Sequence, residues 1–377
     1  MNKPPLIITN VIVFSALTLL ALVGTPIWAI MYGFDWIEIG TAIFLFYFTG
    51  MSITAGYHRL WSHKTYDAHP VIRCILAVGG AMTVQNSILH WSSDHRVHHR
   101  HVDVNDEDPY SAKKGFWYSH MGWMLREHKA KRFVDYSNCK DLQKDKVVMW
   151  QHNHYLPIVL IANFGITGFL GWLNGDILSM VLLAGVTRIV LVHHVTFFIN
   201  SLAHIWGSRP YTDTNTARDN HLLAFFTFGE GYHNYHHIFE YDYRNGIKWW
   251  QFDPTKWMIK GLSYLGLTSK LRTCPEERIE KAKLEMQLKY AQDKAILLPN
   301  TEEIIARMEK EYEELVQRMS DFYAAKKRLM NAKKKNLQKT YESLELDFKC
   351  KELKKNFEIQ KQKWRSVYSF YFEQQTA

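Results

Sequence analysis

The sequence predicts an all-α integral membrane protein in which four membrane-spanning helices lie under a cytosolic helical cap that holds a histidine-rich two-metal site. Two features lead to this fold class. The first 200 residues contain four apolar stretches, and each is long enough to cross a hydrocarbon core of ~30 Å, which takes about 20 helical residues. The chain also has 19 histidines, many of them clustered near the ends of those stretches.

The predicted spans pair into two hairpins. They occupy about residues 6–31, 37–57, 156–172 and 177–200. The short connector within each hairpin lacks Lys and Arg, whereas the flanking segments 58–154 and 204–274 are rich in both. The positive-inside rule therefore predicts that both termini and these two segments lie in the cytoplasm.

A further apolar stretch, residues 71–89, is not predicted to span the membrane. It carries Arg73, Gln85 and Asn86, and it lies between two histidine clusters that must meet if they share a site. A span there would place those clusters on opposite faces of the bilayer. We therefore expect a helix that lies at the interface or packs against the cap.

The chain is basic, with a formal net charge of +9 and a pI near 9.1. Positive-inside topology and attraction to anionic lipid headgroups account for this charge. No nucleic-acid-binding motif is visible, so we expect no nucleic-acid partner. The four cysteines are far apart and form no CxxC pair, which argues against a zinc ribbon or a disulfide framework.

The composition changes near Pro275, which separates a membrane domain, residues 1–274, from a charged helical extension, residues 275–377. Apolar residues in the extension recur at three- and four-residue steps, as in a coiled coil. They are Met308, Tyr312, Leu315, Met319, Phe322 and Leu329, and Lys326 interrupts the series. Two interpretations remain open, a solvated helical tail and a hairpin for self-association or partner docking.

Three histidine clusters carry the strongest signal. HRVHH at residues 95–99 and HNYHH at residues 233–237 have the spacing i, i+3, i+4, which brings three imidazoles onto one face of a helix. His58 and His63 are spaced i, i+5, which suits the end of a helix better than its middle. Imidazole is the commonest metal-binding side chain, so these clusters predict a metal site.

Asn200 and His204 form a further i, i+4 pair at the end of the fourth apolar stretch. The candidate ligands are then His58, His63, His95, His98, His99, His204, His233, His236 and His237. Nine imidazoles exceed the coordination of one ion, so two metals are the economical count. Imidazole leaves Zn, Cu, Fe and Ni open. No HExxH motif of a hydrolytic zinc site is present, and a redox pair that handles O2 fits the set best.

Several motifs resemble one family. GYHRLWSH, WSSDHRVHH and GEGYHNYHH resemble the three histidine boxes of the membrane fatty acyl desaturases, specifically the Δ9 (stearoyl/acyl-CoA) desaturases, and NSLAHIWGSRPY and DYRNG match further stretches of that family. The resemblance covers roughly residues 5–260, and the segment after the second box is closer to the bacterial branch. It implies a multi-pass protein, with a bacterial inner membrane as the expected location.

The resemblance implies a non-haem di-iron centre held by those nine histidines, with Asn200 reaching one iron through a water. The implied reaction introduces a cis double bond at C9–C10 of a saturated long-chain acyl substrate, expected to be acyl-CoA, with O2 as co-substrate, in unsaturated fatty acid biosynthesis. No haem-binding HPGG stretch or ferredoxin-type cysteine pattern is present. We therefore expect an external electron donor: a cytochrome b5, a ferredoxin or a ferredoxin reductase-type protein.

The family also implies residues that contact the substrate. Gln85, Trp91 and Thr196 match positions at the kink of an acyl tunnel, and Asn10, Asn86 and Asp94 match contacts to the CoA headgroup; Arg188 matches a family arginine. Phe46, about 18 Å along the helix from His58 at 1.5 Å per residue, is expected to cap the tunnel.

Other functions remain open at this point. Related membrane oxygenases with similar boxes hydroxylate acyl or alkane chains, and a non-catalytic scaffold would explain the helical extension. Ser93, Phe197 and Glu127 depart from the pattern of the animal desaturases. These departures weaken the expectation of CoA more than that of desaturation, so an acyl lipid or another acyl carrier is an alternative.

Overall fold

The computed structural model describes residues 4–128, 134–296, 298–334 and 341–372. Parts of the predicted cytosolic segment 58–154 and of the predicted extension 275–377 lie outside these ranges, namely residues 129–133, 297, 335–340 and 373–377. The chain forms two compact units. One comprises Met1–Arg209 with Thr214–Thr273, and the other comprises Pro210–Asp213 with Cys274–Ala377.

Among the described residues, the regular structure of the first unit is helical apart from one pair of two-residue strands. Its helices are α1 (Ile8–Met31), α2 (Trp36–Ser62), α3 (Pro70–Ala81), α4 (Ile88–His101), α5 (Lys146–Asn153), α6 (Tyr155–Asn174), α7 (Ile177–Ile205), α8 (His221–Phe226), α9 (His233–Ile238) and α10 (Pro254–Tyr264). Short helical turns lie at Ala112–Lys114, Tyr118–Gly122, Trp123–Leu125, Ser137–Cys139 and Leu142–Lys144. The two-residue strands β1 (Asp67–Ala68) and β2 (Thr268–Ser269) pair antiparallel.

Four of these helices, α1, α2, α6 and α7, are long and apolar enough to cross a membrane. This confirms the predicted fold class of a four-span helical membrane protein. The polar connector before α2 fixes where that helix begins. The Asp35 side chain accepts hydrogen bonds from the backbone amides of Ile37 and Glu38, and the Asp35 amide donates to the Glu38 carboxylate. This capping box fixes the start of α2.

The second span continues past its predicted end at residue 57. From Ile53 to Ser62 it widens into a π-helix, in which backbone hydrogen bonds join residues five apart. The His63 amide, for example, donates to the His58 carbonyl over 3.1 Å. Because residues five apart then lie one above the other, the i, i+5 spacing of these histidines brings both rings to the same side of the helix.

The apolar stretch 71–89 forms two helices, α3 and the start of α4, and α3 is too short to count among the candidate spans. Ser87 caps the start of α4 through a hydrogen bond from the His90 amide. Gly80 lets α3 approach α2 closely, since a Cβ there would lie 2.2 Å from the Tyr57 ring. The helix therefore packs under the metal-binding part of α2.

Arg188 is a buried charge within α7, and backbone and amide oxygens satisfy it. Its guanidinium donates to the carbonyls of Met82 and Ala184 and to the Asn163 side chain, over 2.5–3.0 Å. An arginine inside a span requires such partners because no water reaches it there. These hydrogen bonds tie together α6, α7 and the turn after α3.

The second unit consists of the helices α11 (Glu276–Ala295), α12 (Thr301–Lys334) and α13 (Tyr341–Phe372), which pack around one apolar core. The predicted apolar series of α12 lies in that core, where Ala325 is buried and takes the position that the spacing gave to Lys326. Lys326 instead pairs with Glu276. A role of this unit in self-association stays a prediction.

Candidate metal centre and adjoining cavity

Nine histidines converge in the first unit, and they form two groups. The first group is His58, His63, His95, His99 and His236; the second is His98, His204, His233 and His237. Within each group one ring nitrogen per residue lies within 4.8 Å of the others. These are the nine histidines that the sequence predicts as ligands, and they are buried or nearly so.

Two short helices each contribute to both groups. On α4, His95 and His99 point to the first group and His98 to the second; on α9, His233 and His237 point to the second group. Residues three and four apart lie on the same face of a helix, but in both helices the pair four apart joins one group and the remaining histidine, three from one member of that pair, joins the other. The i, i+3, i+4 spacing therefore divides each helix between two neighbouring points.

The Nε2 atoms of the first group face one another at close range. His63 and His95 are 2.8 Å apart, and His236 lies 2.9 Å from His58 and 3.0 Å from His99. The second group has the same arrangement, with Nε2 separations between 3.0 and 3.3 Å. Each group therefore presents ring nitrogens, and not apolar carbon atoms, to its centre.

Acidic groups fix the protonation of several rings. His58 Nδ1 lies 3.0 Å from Glu230, and His98 Nδ1 lies 2.9 Å from Asp108. An ionised carboxylate only accepts hydrogen bonds, so each Nδ1 carries the hydrogen, and in a neutral ring Nε2 then presents a lone pair. Asp108 is kept ionised: burial alone would raise its pKa, but His98 and two backbone amides bring the pKa below its usual value.

His204 is fixed in the same way through a hydroxyl. Its Nδ1 lies 2.8 Å from Thr216 Oγ1, and that hydroxyl donates to Asp103 over 2.7 Å. Since the Thr216 hydrogen is committed to the carboxylate, its oxygen must accept from His204. The Nε2 lone pair of His204 then points at His233, 3.1 Å away.

Most of the nine rings are also held in the neutral form. Burial, followed by the neighbouring histidines, holds the pKa of His63, His95, His233, His236 and His237 well below the usual value. Burial lowers the pKa of His99 to about 4, although its hydrogen bond to Glu240 opposes the shift. Neutral imidazoles with inward lone pairs are the form that binds metal.

This donor set fits two metal ions. Lone pairs that meet at about 3 Å repel one another unless a proton or a cation lies between them, and carboxylate-oriented imidazoles are the usual surroundings of a bound metal. His58, His99, His98 and His204 each have Nδ1 held by an acceptor, which leaves Nε2 for the ion. The two groups thus define two neighbouring metal-binding points.

A buried ionic network supports the first group. Arg59 is 1% exposed and donates to both Glu230 and Asp253, and Asn245 donates to the other oxygen of Glu230 over 2.7 Å. Burial would raise the pKa of Glu230, but His58 and Arg59 together lower it to about 2. Glu230 therefore remains a carboxylate and keeps His58 in its metal-binding tautomer.

Glu240 contacts the first histidine group from the solvent side. Its carboxylate lies 3.0 Å from His99 Nδ1 and 3.8 Å from His63 Nδ1, yet its side chain is 52% exposed. The hydrogen bond with His99 lowers its pKa, and burial opposes this. Sequence reasoning missed Glu230, Glu240 and Asp108. Their only signal was position in the sequence: Asp108 follows HRVHH, and Glu230 and Glu240 flank HNYHH.

A cavity of about 260 Å³ adjoins the metal site. Its lining includes seven polar or aromatic residues that the sequence analysis singled out: Asn10, Gln85, Asn86, Trp91, Asp94, Thr196 and Asn200. The Trp91 ring stacks on the His95 imidazole, with ring centroids 4.8 Å apart. Gln85 donates to the Thr196 hydroxyl over 3.1 Å. The cavity wall is therefore in direct contact with a candidate ligand.

Two predicted substrate residues lie elsewhere. Phe46 is not among the residues that line this cavity, and its ring packs on Phe228 with centroids 5.3 Å apart. Arg188 is occupied by the buried hydrogen bonds described above, and it is also absent from the lining. Their substrate roles stay predictions.

Four spans, nine inward-facing imidazoles and an adjoining cavity define an integral membrane protein with a histidine site suited to metal. A sequence model described as fatty acid desaturase matches residues 34–268. The chain therefore belongs to the fatty acid desaturase family.

Individual relatives are similar over the same region. A probable acyl-CoA desaturase of Schizosaccharomyces pombe is 47% identical over 249 residues, which cover 66% of this chain and 52% of that protein. Acyl-CoA desaturase 1 of Saccharomyces cerevisiae is 43% identical, covering 66% and 48%. A stearoyl-CoA desaturase of Bos taurus is 38% identical, covering 68% and 72%. The chain thus spans about half the length of the two yeast relatives.

Replacing Asp108 with Asn tests how the second metal point is built. We expect metal affinity to fall about 10- to 100-fold, because His98 loses the acceptor that orients its ring. The measurement is metal bound per chain under competition with a chelator. Asp106→Asn is the matched control, an exposed acid in the same loop. Equal metal retention by both variants would contradict this account of Asp108.

Proposed function

We propose that the protein is an O2-dependent fatty acyl desaturase that introduces a cis double bond, at C9–C10, into a saturated long-chain acyl-CoA. One observation carries the proposal: a cavity wall that includes Trp91 lies against His95 of the first histidine group. The fungal and vertebrate relatives are named acyl-CoA or stearoyl-CoA desaturases, which supports both the reaction and the carrier.

We assign two irons to the two histidine groups, with Asn200 reaching the second group through a water. Asn200 lines the cavity and lies at the end of the regular part of α7, four residues before His204. Bound iron would supply the redox chemistry with O2 that removes two hydrogens from unactivated methylenes, which no amino-acid side chain can do. The protein's own task is to hold and orient the acyl chain.

We assign some cavity residues to the acyl chain and others to the headgroup of its carrier. Thr196 and Gln85, joined by a hydrogen bond, present a polar point in a wall that also contains Val13 and Val159. A fixed polar point in an apolar wall positions a chain without binding it tightly. We assign Asn10, Asn86 and Asp94 to the carrier headgroup, as the family pattern implies.

The carrier is the least constrained part of the proposal. Ser93, which replaces an arginine of the animal desaturases, is buried and donates to Asn138 over 2.8 Å. No cation is therefore present at that position to meet a CoA phosphate. An acyl lipid is the alternative carrier, and the product analysis below must separate the two.

We further propose that the electrons come from a separate protein, of the cytochrome b5, ferredoxin or ferredoxin reductase type. Both termini and the metal centre are placed on the cytoplasmic side by the positive-inside rule. The relatives come from fungi and vertebrates, so neither the bacterial branch nor a bacterial inner membrane finds support among them.

Expression in a host without its own desaturase tests the reaction. We expect the chain to produce monounsaturated fatty acids, which His98→Ala abolishes because the second group loses a nitrogen. His101→Ala is the control, since His101 lies on the same helix outside both groups and pairs with Glu107. Gas chromatography with double-bond localisation gives the product.

Two results would overturn this assignment. Hydroxylated chains in place of alkenes would indicate a hydroxylase. Unchanged host lipids from a well-expressed, metal-loaded protein would favour a non-catalytic role. Feeding labelled acyl-CoA to membranes and comparing label in the free acyl-CoA and phospholipid fractions identifies the carrier.

A bulky substitution in the cavity tests its assignment to the acyl chain. Val13→Trp should fill part of the cavity and strongly reduce desaturation while metal content stays unchanged, because the substitution blocks only the chain. Ile12→Trp is the matched control, since Ile12 is 60% exposed and does not line the cavity. Equal product formation by both variants would show that the acyl chain lies elsewhere.

A further inference from the structure

The cap of the first unit exposes a group of large apolar side chains that the metal centre and the cavity do not use. This aromatic rim consists of Leu222, Phe225, Phe226, Trp249, Trp250 and Trp257, with exposures between 45% and 86%. Exposed apolar groups of this size mark surfaces that meet another apolar phase or a partner. The rim comes from two separate segments, α8 and residues 249–257, which end in the first turn of α10.

Ring contacts link the two segments that form the rim. The Phe225 ring contacts Phe226 at 5.4 Å and Phe252 at 4.8 Å between centroids, and Phe252 contacts Trp257 at 5.4 Å. His221, at the start of α8, lies 5.7 Å from the Trp250 ring. Two segments distant in sequence thus combine into one aromatic surface.

The rim lies beside a membrane span. Phe228, two residues after the rim residue Phe226, packs on the side chains of Phe46 and Tyr47 in α2 at 5.3 and 5.6 Å. It also covers Gly50 so closely that a Cβ there would lie 2.2 Å from its ring. At the start of α10, Thr255 is hydrogen-bonded to Thr54 of α2 over 2.6 Å.

These contacts set the level of the rim relative to the bilayer. A hydrocarbon core of ~30 Å takes about 20 helical residues, so α2, which begins at Trp36, leaves it near residue 55. The contacts of Phe228 and Thr255 fall on residues 46–54 of α2, in the half of the span nearer the cap. The rim, which adjoins these two residues in sequence, therefore lies on the side of the leaflet that faces the cap.

The exposed charges around the rim are positive, which suits an anionic membrane surface. Lys248 lies over the Trp250 ring at 5.2 Å, and Lys260 lies over the Tyr264 ring at 4.8 Å. The only acid between residues 246 and 262 is Asp253, which is fully buried and paired with Arg59. Tryptophan beside lysine is typical of the membrane interface, where the ring sits among headgroups and the ammonium meets lipid phosphate.

We propose that the aromatic rim inserts into the headgroup region of the leaflet that faces the cap, and that Lys248 and Lys260 favour anionic lipid there. The rim adds a peripheral anchor to the four spans and is independent of the proposed desaturation. Its contact with α2 holds the cap against the bilayer on the side of the π-helical turn that carries His58. A soluble partner protein is the competing occupant.

Site-directed spin labelling of the full-length protein in lipid nanodiscs tests the insertion. The background is Cys74→Ser, because Cys74 is the exposed one of the four cysteines, and that background should take up no label. Nitroxides at Phe226→Cys and Trp250→Cys are compared with Val104→Cys, an exposed apolar position of the cap outside the rim. The readout is collision with O2, which concentrates in lipid, against collision with a water-soluble nickel complex.

We expect both rim labels to be several-fold less accessible to nickel and more accessible to O2 than the label at position 104. Rim labels as open to nickel as position 104 would overturn the insertion and leave the rim to a soluble partner. Exchanging nanodiscs of phosphatidylcholine with phosphatidylglycerol for pure phosphatidylcholine should reduce the protection. Lys248→Gln with Lys260→Gln should remove that lipid dependence, and an unchanged dependence would contradict the role of the two lysines.

Discussion

The structure depends on one electrostatic constraint: buried imidazole nitrogens converge on two points, where a cation at each would satisfy their lone pairs. Nε2 atoms within a group meet at 2.8–3.3 Å, and acceptors fix the other nitrogen of His58, His98, His99 and His204. Without a cation, each close pair needs a proton between its two nitrogens. With a cation at each point, every fixed ring becomes a ligand, and the surrounding carboxylates become its support.

Local helix geometry brings the imidazole nitrogens to these two points. The π-helical turn of α2 places His58 and His63 together, and α4 and α9 each divide their histidines between the two points. The buried pair of Arg59 with Glu230 and Asp253 anchors α2 to the segment before α9 and to the start of α10. Such a pair is costly to bury unless fully hydrogen-bonded, and here it also fixes the tautomer of a ligand. The same side chains thus join the membrane spans, the cap and the histidine groups.

Much of this was predictable from sequence because it depends on local periodicity. Four apolar stretches predict four spans, and the i, i+3, i+4 spacing predicts imidazoles on one helix face. The division into two groups was not predictable, because it depends on how α4 and α9 face each other. The partners Glu230, Glu240 and Asp108 were missed for the same reason: a single acid near a histidine motif does not show which ring it meets. The i, i+5 spacing of His58 and His63 predicted the end of a helix, whereas the backbone hydrogen bonds show a π-helical turn over Ile53–Ser62 that brings the two rings together.

The most direct test of the central claim is the metal content of the purified full-length protein together with its X-ray absorption spectrum. The account predicts two irons per chain, each with a shell dominated by imidazole nitrogen and without sulfur. One metal per chain, or a shell containing thiolate, would contradict it.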